Sequence, residues 1–454
     1  MPVNTTHKQY QEMTPKVKRV RDCYMGSDAV KKEGETYLPK LDGQSKVKYN
    51  AYKSRGLFLP VIKPTSTAFI GAIMRNDPVI ELPTNIEYII EDSNADGRDL
   101  TLLASMVISE LLVGGRCGGL VEHDGERPKI LLYPFETIIN WTDDYIILSQ
   151  EYEVVNPEDK YETNTATEYL ELTLEDNLYI QNIWRNNGKA WYIHERLEPT
   201  NRGERLNYIP FAVANTMELS YKLTNPALLE VADIDLDHYR LSTDLRHGLH
   251  YTALPTMFVF GDLTGEDGKS AQLTVGAGSA NHITDPSGRA ELLEFTGAGL
   301  GSIEKAMMSG VASMAAIGAK MLQNAETGVK AAETARIEAS GESATLSTIA
   351  NSCEALLTQL LTWAAIWEGS EEDVSIKLNR DFLDTKLDPQ ALTALLQTWQ
   401  GGGISLDTFL FNLQKGEILP KGTDIEDEKE LIAEGGEPLD LEVMDNNSFD
   451  NNSF

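Results

Sequence analysis

Cysteine is scarce in this chain, with three residues in 454. Cys23, Cys117 and Cys353 lie far apart, form no Cys-x-x-Cys pair and are odd in number. A disulfide framework needs paired cysteines and a zinc knuckle needs closely spaced ones, so the sequence predicts neither. We expect the protein to work in a reducing compartment.

Long apolar runs are also lacking. The longest candidate extends from Ala306 to Ala319, about 14 residues before Lys320, whereas a membrane-spanning helix needs roughly 20. The first 20 residues are polar and then basic, without the apolar segment of a secretory signal. We therefore expect no membrane span and no export by such a signal.

Positive charge is in short supply. The chain has 39 lysines and arginines against 70 acidic residues, which gives a formal net charge of -31. A protein that grips nucleic acid does so through clustered Lys and Arg on the phosphates, so this composition disfavours that class. It does not exclude a protein past which nucleic acid slides.

Catalytic motifs are absent from the sequence. It contains no Gly-x-Ser-x-Gly elbow, no Gly-x4-Gly-Lys-[Ser/Thr] phosphate loop and no His-Glu-x-x-His. His238, His247 and His250 share a predicted helix with Asp237, but no further ligand is spaced to complete a metal site. The sequence therefore predicts no enzyme, no metal and no cofactor.

The first half of the chain predicts helices followed by antiparallel strands. Pro60 and Pro64 interrupt the early helices. The next predicted helix lies between Asp99 and Gly115, and its apolar residues recur at three- and four-residue steps: Leu102, Leu103, Met106, Val107 and Leu111. From Gly118 to Ala214 the apolar period is two, with Leu170, Leu172 and Leu174 on one face and a hairpin turn at Asn186-Asn187-Gly188.

Helices dominate the second half. A helix is predicted from Asn225 to Tyr251, with Pro226 in its first turn. Later come a Gly-rich insertion flanked by two strands, a helix at 301–322, a long helix from about 331 to 367, a strand at 373–379 and two capped helices from Asp388. The long helix carries one apolar stripe: Leu346, Ile349, Cys353, Leu356, Leu357, Leu360, Ala364 and Trp367. An acidic, low-complexity stretch begins near Thr423.

Three glycines before the helix at 301–322 invite comparison with a dinucleotide fingerprint. Gly297, Gly299 and Gly301 follow a strand, but Ser302 takes the sixth position, and no second strand ending in an acid follows. The helix itself is crowded with small residues, including Gly310, Ala315 and Gly318, which allow close helix packing. Packing against other helices and burial in a single core both remain open.

Taken in order, these parts resemble the portal proteins of tailed bacteriophages. Each motif is modest, but their order is specific and covers most of the chain. The runs that carry the resemblance are Tyr37-LPKLDGQ, Tyr49-NAYKSRGLF, Glu136-TIINW, the helix from Leu228 to Pro255, Glu294-FTGAGLGSIEKAMMSGVASMAAIGAKML and Val374-SIKLNRDF.

The resemblance implies an α+β portal fold with wing, stem, clip and crown regions that forms a ring of probably twelve subunits. Its implied boundaries are N-terminal helices and β-rich wing 1–228, stem helix 229–252, clip 253–298, second stem helix 299–322, tunnel loop 323–330, long wing helix and strand 331–387, crown 388–431 and acidic mobile tail 432–454.

The resemblance also implies roles for particular side chains. Residues of the DNA tunnel would be Lys320, Asn324, Glu326, Thr327 and Lys330; charges on the stem would be Arg240, Arg246 and Lys305. Stem packing would involve Gly310, Ala315 and Gly318. Solvation or ion pairing is an equally good interpretation of the cations.

A portal is expected to carry out no catalysis. Its implied partners are other copies of itself, the terminase large subunit, a head-tail adaptor, the major capsid protein and, as a further candidate, scaffolding protein, with double-stranded DNA passing through without sequence readout. The implied location is the portal vertex of the virion, and the host cytoplasm during assembly. Two alternatives remain: an acidic nucleotide-binding enzyme that uses the Gly297–Gly301 turn, and another phage head or tail ring protein.

Overall fold

The computed structural model describes most of the chain. The described residues are 2–94, 96–123, 125–155, 161–252, 256–260, 289–293, 299–322, 345–370, 372–380, 382, 389–415, 418–419 and 425–434. They combine helices with antiparallel sheets, so the α+β prediction is confirmed. The chain divides into two units, Met1–Phe382 and Leu383–Phe454.

Helices open the first unit. They are α1 Lys8–Met25, α2 Ser27–Lys32, α3 Lys46–Arg55, α4 Ile62–Ile73 and α5 Leu100–Val113. Asp99 caps α5 by accepting a hydrogen bond from the Leu102 N–H (2.6 Å), and Gly114 with Gly115 ends it, as predicted. Pro64 does not interrupt a helix: it lies in the first turn of α4, where its missing N–H would have had no helical partner.

The buried face of α5 is rotated from the predicted one. Leu103, Val107 and Leu111 are buried, but Leu102 is 47% exposed. Leu100, Ala104 and Ile108 complete the buried face instead. The predicted stripe was wrong at Leu102 because a helix this rich in leucine offers two overlapping apolar faces, and the packing partner selects between them.

Fourteen strands occur among the described residues. They are β1 Val79–Glu81, β2 Arg116–His123, β3 Pro128–Pro134, β4 Ile138–Trp141, β5 Tyr145–Val155, β6 Thr163–Glu175, β7 Leu178–Asn186, β8 Trp191–Leu197, β9 Thr200–Asn201, β10 Glu204–Arg205, β11 Phe211–Asn215, β12 Thr256–Phe260, β13 Arg289–Leu293 and β14 Ser375–Lys377. One sheet has the order β11-β2-β3 and another β4-β5-β6-β7-β8, both antiparallel. The hairpin at Asn186–Gly188 is confirmed between β7 and β8.

Helix α8, Thr345–Trp367, packs on the β2 sheet and forms the centre of the core. All eight residues of its predicted stripe are buried. A Cβ on Gly119 would collide with the Leu360 side chain, so glycine in β2 lets the helix approach the sheet closely. Residues 331–344 of the predicted helix lie outside the described residues.

The second unit contains three described helices, α9 Pro389–Gln400, α10 Leu406–Lys415 and α11 Ile425–Glu434. Ser405 caps α10, as predicted, by accepting from the Thr408 N–H (3.2 Å). Helix α11 extends three residues into the acidic tail that was expected at 432–454. The Lys429 ammonium pairs with Asp407 at 2.7 Å and Glu426 at 2.8 Å, and the many acids around it concealed this helix in the sequence. The remaining residues of that expected tail, 435–454, lie outside the described residues.

Candidate functional site

Two long helices form the candidate site, α6 Leu229–Thr252 and α7 Leu300–Leu322. They run antiparallel, since Gly248 near the end of α6 meets Leu300 at the start of α7, and Ile234 meets Gly310. Pro226 does not lie in the first turn of α6 as predicted. Its carbonyl accepts from the Leu229 N–H (3.1 Å) and leads into the helix.

A two-stranded sheet lies between the helices in the chain. Strands β12 and β13 pair antiparallel, with Thr256 opposite Leu293 and Phe260 opposite Arg289. The two predicted strands flanking the insertion are therefore confirmed. In the sequence, the glycines that follow β13 thus come after an antiparallel pair, whereas a dinucleotide fingerprint follows a strand of a parallel sheet. The nucleotide-binding alternative loses its structural context.

Glycine sets the spacing between α6 and α7. A Cβ on Gly248 would lie 2.6 Å from Leu300 Cδ2, which is too close, whereas one on Gly310 would lie 3.6 Å from Ile234 Cγ2. Gly318 faces Phe69 of α4 in the same manner, at 3.9 Å. Two predicted packing residues, Gly310 and Gly318, therefore lie on the inner side of α7.

The exposed outer side of α7 is rich in small and apolar residues, with Glu304, Lys305 and Lys320 as its exposed charges. Within α7, Met314 and Met321 are buried, but Met308 is 72% exposed and Val311 is 42% exposed. The third predicted packing residue, Ala315, belongs to this outer side, together with Ala306, Ala312, Ala316 and Ala319. We call these seven residues the outer face of α7. A surface helix normally presents mostly charged and polar residues to solvent, so this concentration of exposed apolar residues is a feature of interfaces.

The predicted stem charges have different surroundings. Arg240 is half-buried, and its Nε donates to the Tyr37 carbonyl oxygen (2.8 Å), so its guanidinium connects α6 to the segment before α3. Arg246, Lys305 and Lys320 are exposed. The remaining predicted tunnel residues, Asn324, Glu326, Thr327 and Lys330, lie outside the described residues.

Two histidines of α6, His238 and His247, are packing residues. Burial lowers the pKa of His238, and the His247 ring packs edge-on against Tyr52 with centroids 5.0 Å apart. Across the part of the chain that the structure describes, no group of three or more His, Cys, Asp or Glu side chains has a metal-binding arrangement. Within that same part, no helix combines the length and apolarity needed to cross a bilayer.

A cavity of about 550 Å³ lies away from these helices, between the two larger sheets. Glu122, His123, Gln181, Glu198 and Trp367 are among the residues that line it. Its charged groups have partners, since Glu122 approaches Lys129 at 3.8 Å and Glu198 approaches Arg196 at 3.6 Å. This cavity could not be predicted from sequence patterns, because its walls come from separate strands.

Comparison with known proteins gives one family match. The family described as "Domain of unknown function (DUF4055)" matches residues 227–368, from just before α6 to just after α8. That is less than half of the chain. A search among curated proteins finds no match.

Among solved structures, the chain is similar to components of gene transfer agent particles. A chain of the "Virion of native gene transfer agent (GTA) particle" is 11% identical with a TM-score of 0.39, covering 83% of this chain and 95% of that one. A chain of the "Neck of empty GTA particle computed with C6 symmetry" is 12% identical, with a TM-score of 0.38 and coverages of 91% and 100%. A chain of the "Neck of native GTA particle computed with C12 symmetry" is 10% identical with a TM-score of 0.38, covering 84% of this chain and 95% of that one. Because TM-scores this low do not establish a shared fold, we draw the proposal below from the chain itself.

Proposed function

We propose that the chain is a portal protein, one subunit of a ring through which double-stranded DNA enters and leaves a capsid. The observation that carries the proposal is the antiparallel pair α6 and α7, with a two-stranded sheet inserted between them and an uncovered apolar face on α7. In this proposal α6 and α7 are the stem, β12 and β13 belong to the clip, α8 supports the wing and the second unit is the crown.

The outer face of α7 supplies the reason for a ring. Its side chains are mostly alanine, so a neighbouring helix can approach closely and bury both faces. In the proposal this neighbour is another copy, which would use the outer face because the inner side of α7 already packs on its own α6. A head-to-tail contact closes into a ring when the rotation between neighbouring copies divides a full circle, and the proposal requires that rotation here.

The net charge suits a protein through which DNA passes better than a protein that binds DNA tightly. Each chain carries -31, so a ring of about twelve copies carries a charge on the order of several hundred, and such a field repels phosphate. Exposed cations such as Arg246, Lys305 and Lys320 supply brief contacts to the passing duplex. Arg240 is less suited to this task, because it is engaged with Tyr37.

The proposed partners follow from the same role. The clip and stem end would meet the terminase large subunit during packaging and a head-tail adaptor afterwards, and the wing would meet the major capsid protein and scaffolding protein. The ring would sit at the portal vertex of the virion after assembly in the host cytoplasm. The chain itself would catalyse nothing.

Native mass spectrometry with negative-stain imaging of the full chain tests the proposal. We expect rings of about twelve copies with a central hole. A protein that stays monomeric at micromolar concentration, both alone and with its scaffolding protein, would contradict the conduit. Rings that fail to bind the terminase large subunit in a pull-down would instead favour another phage head or tail ring protein.

A further inference from the structure

An extended segment runs along α6 in the opposite direction. This segment, residues 56–61 between α3 and α4, is here called the strap. A Cβ on Gly56 would collide with the Thr243 hydroxyl, so the strap backbone lies directly against the helix. One residue on, the Leu57 N–H donates to Ser242 Oγ (3.3 Å). The strap therefore uses side chains of α6 as hydrogen-bond partners in place of a neighbouring strand.

The strap continues toward the start of α6. The Phe58 ring packs edge-on against Tyr239, with centroids 6.1 Å apart. The Val61 N–H lies close enough to Asp235 to favour the ionised form of its carboxyl, although the same N–H donates to the Leu59 carbonyl at 2.9 Å. Contacts thus follow one another from Thr243 back to Asp235, over about two turns of the helix.

Asp235 is the exceptional residue under the strap. Its side chain is fully buried, and neither carboxyl oxygen accepts a well-formed hydrogen bond. A buried polar group without a partner is costly, and a buried charge without a partner is more so. Burial accordingly raises the pKa of Asp235 to about 8, so the carboxyl holds its proton at neutral pH.

Among the residues that the structure describes, no cation offsets this burial. From α1, the facing titratable group is the Cys23 thiol, which is itself buried, and Arg19 of α1 is paired with Asp233 at 2.9 Å. From α4, the Lys63 ammonium lies over the Tyr24 ring at 5.9 Å. On α6, His238 and Tyr239 each keep a buried polar atom without a hydrogen bond. The site is neutral only while Asp235 is protonated.

We propose that Asp235 and the strap form a proton-controlled latch at the base of α6. With the carboxyl protonated, the strap closes over the helix and holds it in place on α1. Loss of the proton requires water to reach the carboxylate, and water can reach it when the strap lifts. The latch concerns the chain's own conformations and holds whether or not the chain forms a conduit.

The sign of the pH dependence follows from linkage. The open strap exposes Asp235 to water, where its pKa returns to about 4, while the closed strap keeps it near 8. Opening therefore releases one proton between these values. The population of open strap should rise about tenfold per pH unit from roughly pH 5 to pH 8 and level off above pH 8.

Hydrogen–deuterium exchange with mass spectrometry on the full chain tests the latch. After correction for intrinsic exchange rates, protection of strap amides should fall about tenfold per pH unit up to about pH 8. Peptides from β6, in the five-stranded sheet, report any global change. Asp235→Asn, which cannot ionise, should give a flat profile, and Asp233→Asn, two residues away in a surface ion pair, should keep the wild-type profile.

The wild-type profile decides the matter even if Asp235→Asn fails to fold. A strap whose corrected protection is constant from pH 5 to pH 8 would overturn the proposal. So would an equal slope in Asp235→Asn and wild type, because a carboxyl that only fills space would leave the pH profile unchanged. A parallel loss in the β6 peptides would also overturn it, since the proton would then control the whole unit and not the strap.

Discussion

Helices α7 and α8 are a matched pair with different environments. Each has 23 residues, and each is largely apolar. Helix α8 buries its stripe against sheet and helices of its own chain, whereas α7 buries mainly Met314 and Met321 and leaves its outer face exposed. Side-chain size also differs, since α8 uses leucine where α7 uses alanine and glycine. A largely apolar helix thus predicts burial. In this pair, the helix with large side chains packs in the core of its own chain, and the helix with small side chains leaves one side exposed.

The largest expected effect comes from placing a charge on the outer face of α7. Ala315→Glu would bury an unpaired carboxylate at every subunit contact, which costs about 3–5 kcal/mol per contact. We expect rings to be lost in native mass spectrometry while circular dichroism of the single chain stays unchanged. Ala190→Glu, at an exposed alanine in the β7–β8 turn, is the matched control and should leave the rings intact. Intact rings in Ala315→Glu would remove α7 from the interface.

The next prediction compares the loss of a buried side chain in α8 with the loss of an exposed side chain in α7. Leu360→Ala in α8 removes a fully buried side chain from above β2 and should lower the free energy of unfolding by about 3 kcal/mol. Met308→Ala in α7, 72% exposed, should change it by less than about 0.5 kcal/mol in the dissociated chain. Urea titration measures both. Similar losses would mean that the outer face of α7 is already covered within one chain.

A smaller effect tests the close contact between α6 and α7. Gly248→Ala should lower the free energy of unfolding by about 1–3 kcal/mol, because its Cβ meets Leu300. Leu300→Ala in the same chain should recover part of that loss, so the double-mutant cycle should show coupling. Gly301→Ala, where nothing lies within 4 Å, is the control and should be neutral or slightly stabilising. Additive effects at Gly248 and Leu300 would contradict the contact.

The smallest effect separates two arginines of α6. Arg240→Ala loses a hydrogen bond to the Tyr37 carbonyl and should cost about 1 kcal/mol. Arg246→Ala, at an exposed position, should cost less than about 0.5 kcal/mol. Thermal unfolding at equal ionic strength measures the difference. Equal losses would show that the Tyr37 contact contributes no stability.

Much of the fold could be predicted because it follows local patterns. The α8 stripe and the turn at Asn186–Gly188 depend on spacing and on residue type within a few positions, and both are confirmed. The rotated face of α5 and the helix α11 were not predictable in the same manner. Tertiary contacts decide which face of α5 is buried, and a high density of acidic residues conceals the apolar pattern of α11.

The candidate site was predictable in outline but not in its chemistry. Small residues in α7 indicated close packing, yet they could not show that Gly310 and Gly318 face inward while Ala315 faces outward. The sequence analysis did not single out Asp235, although its position in the helical pattern indicated burial. It lies four residues from both Val231 and Tyr239, on the buried side of α6, so helical spacing alone places a carboxyl among core residues.

The pairing of β1 with β14 has a consequence for biosynthesis. Glu81 lies opposite Ser375, so the two strands of this small sheet are separated by almost 300 residues of sequence. At about 5–20 residues per second, β1 leaves the ribosome roughly 15–60 s before its partner exists. During that interval α5 also lacks α8, and its apolar side chains are open to other nascent chains. The first unit can therefore finish folding only after β14 has left the ribosome.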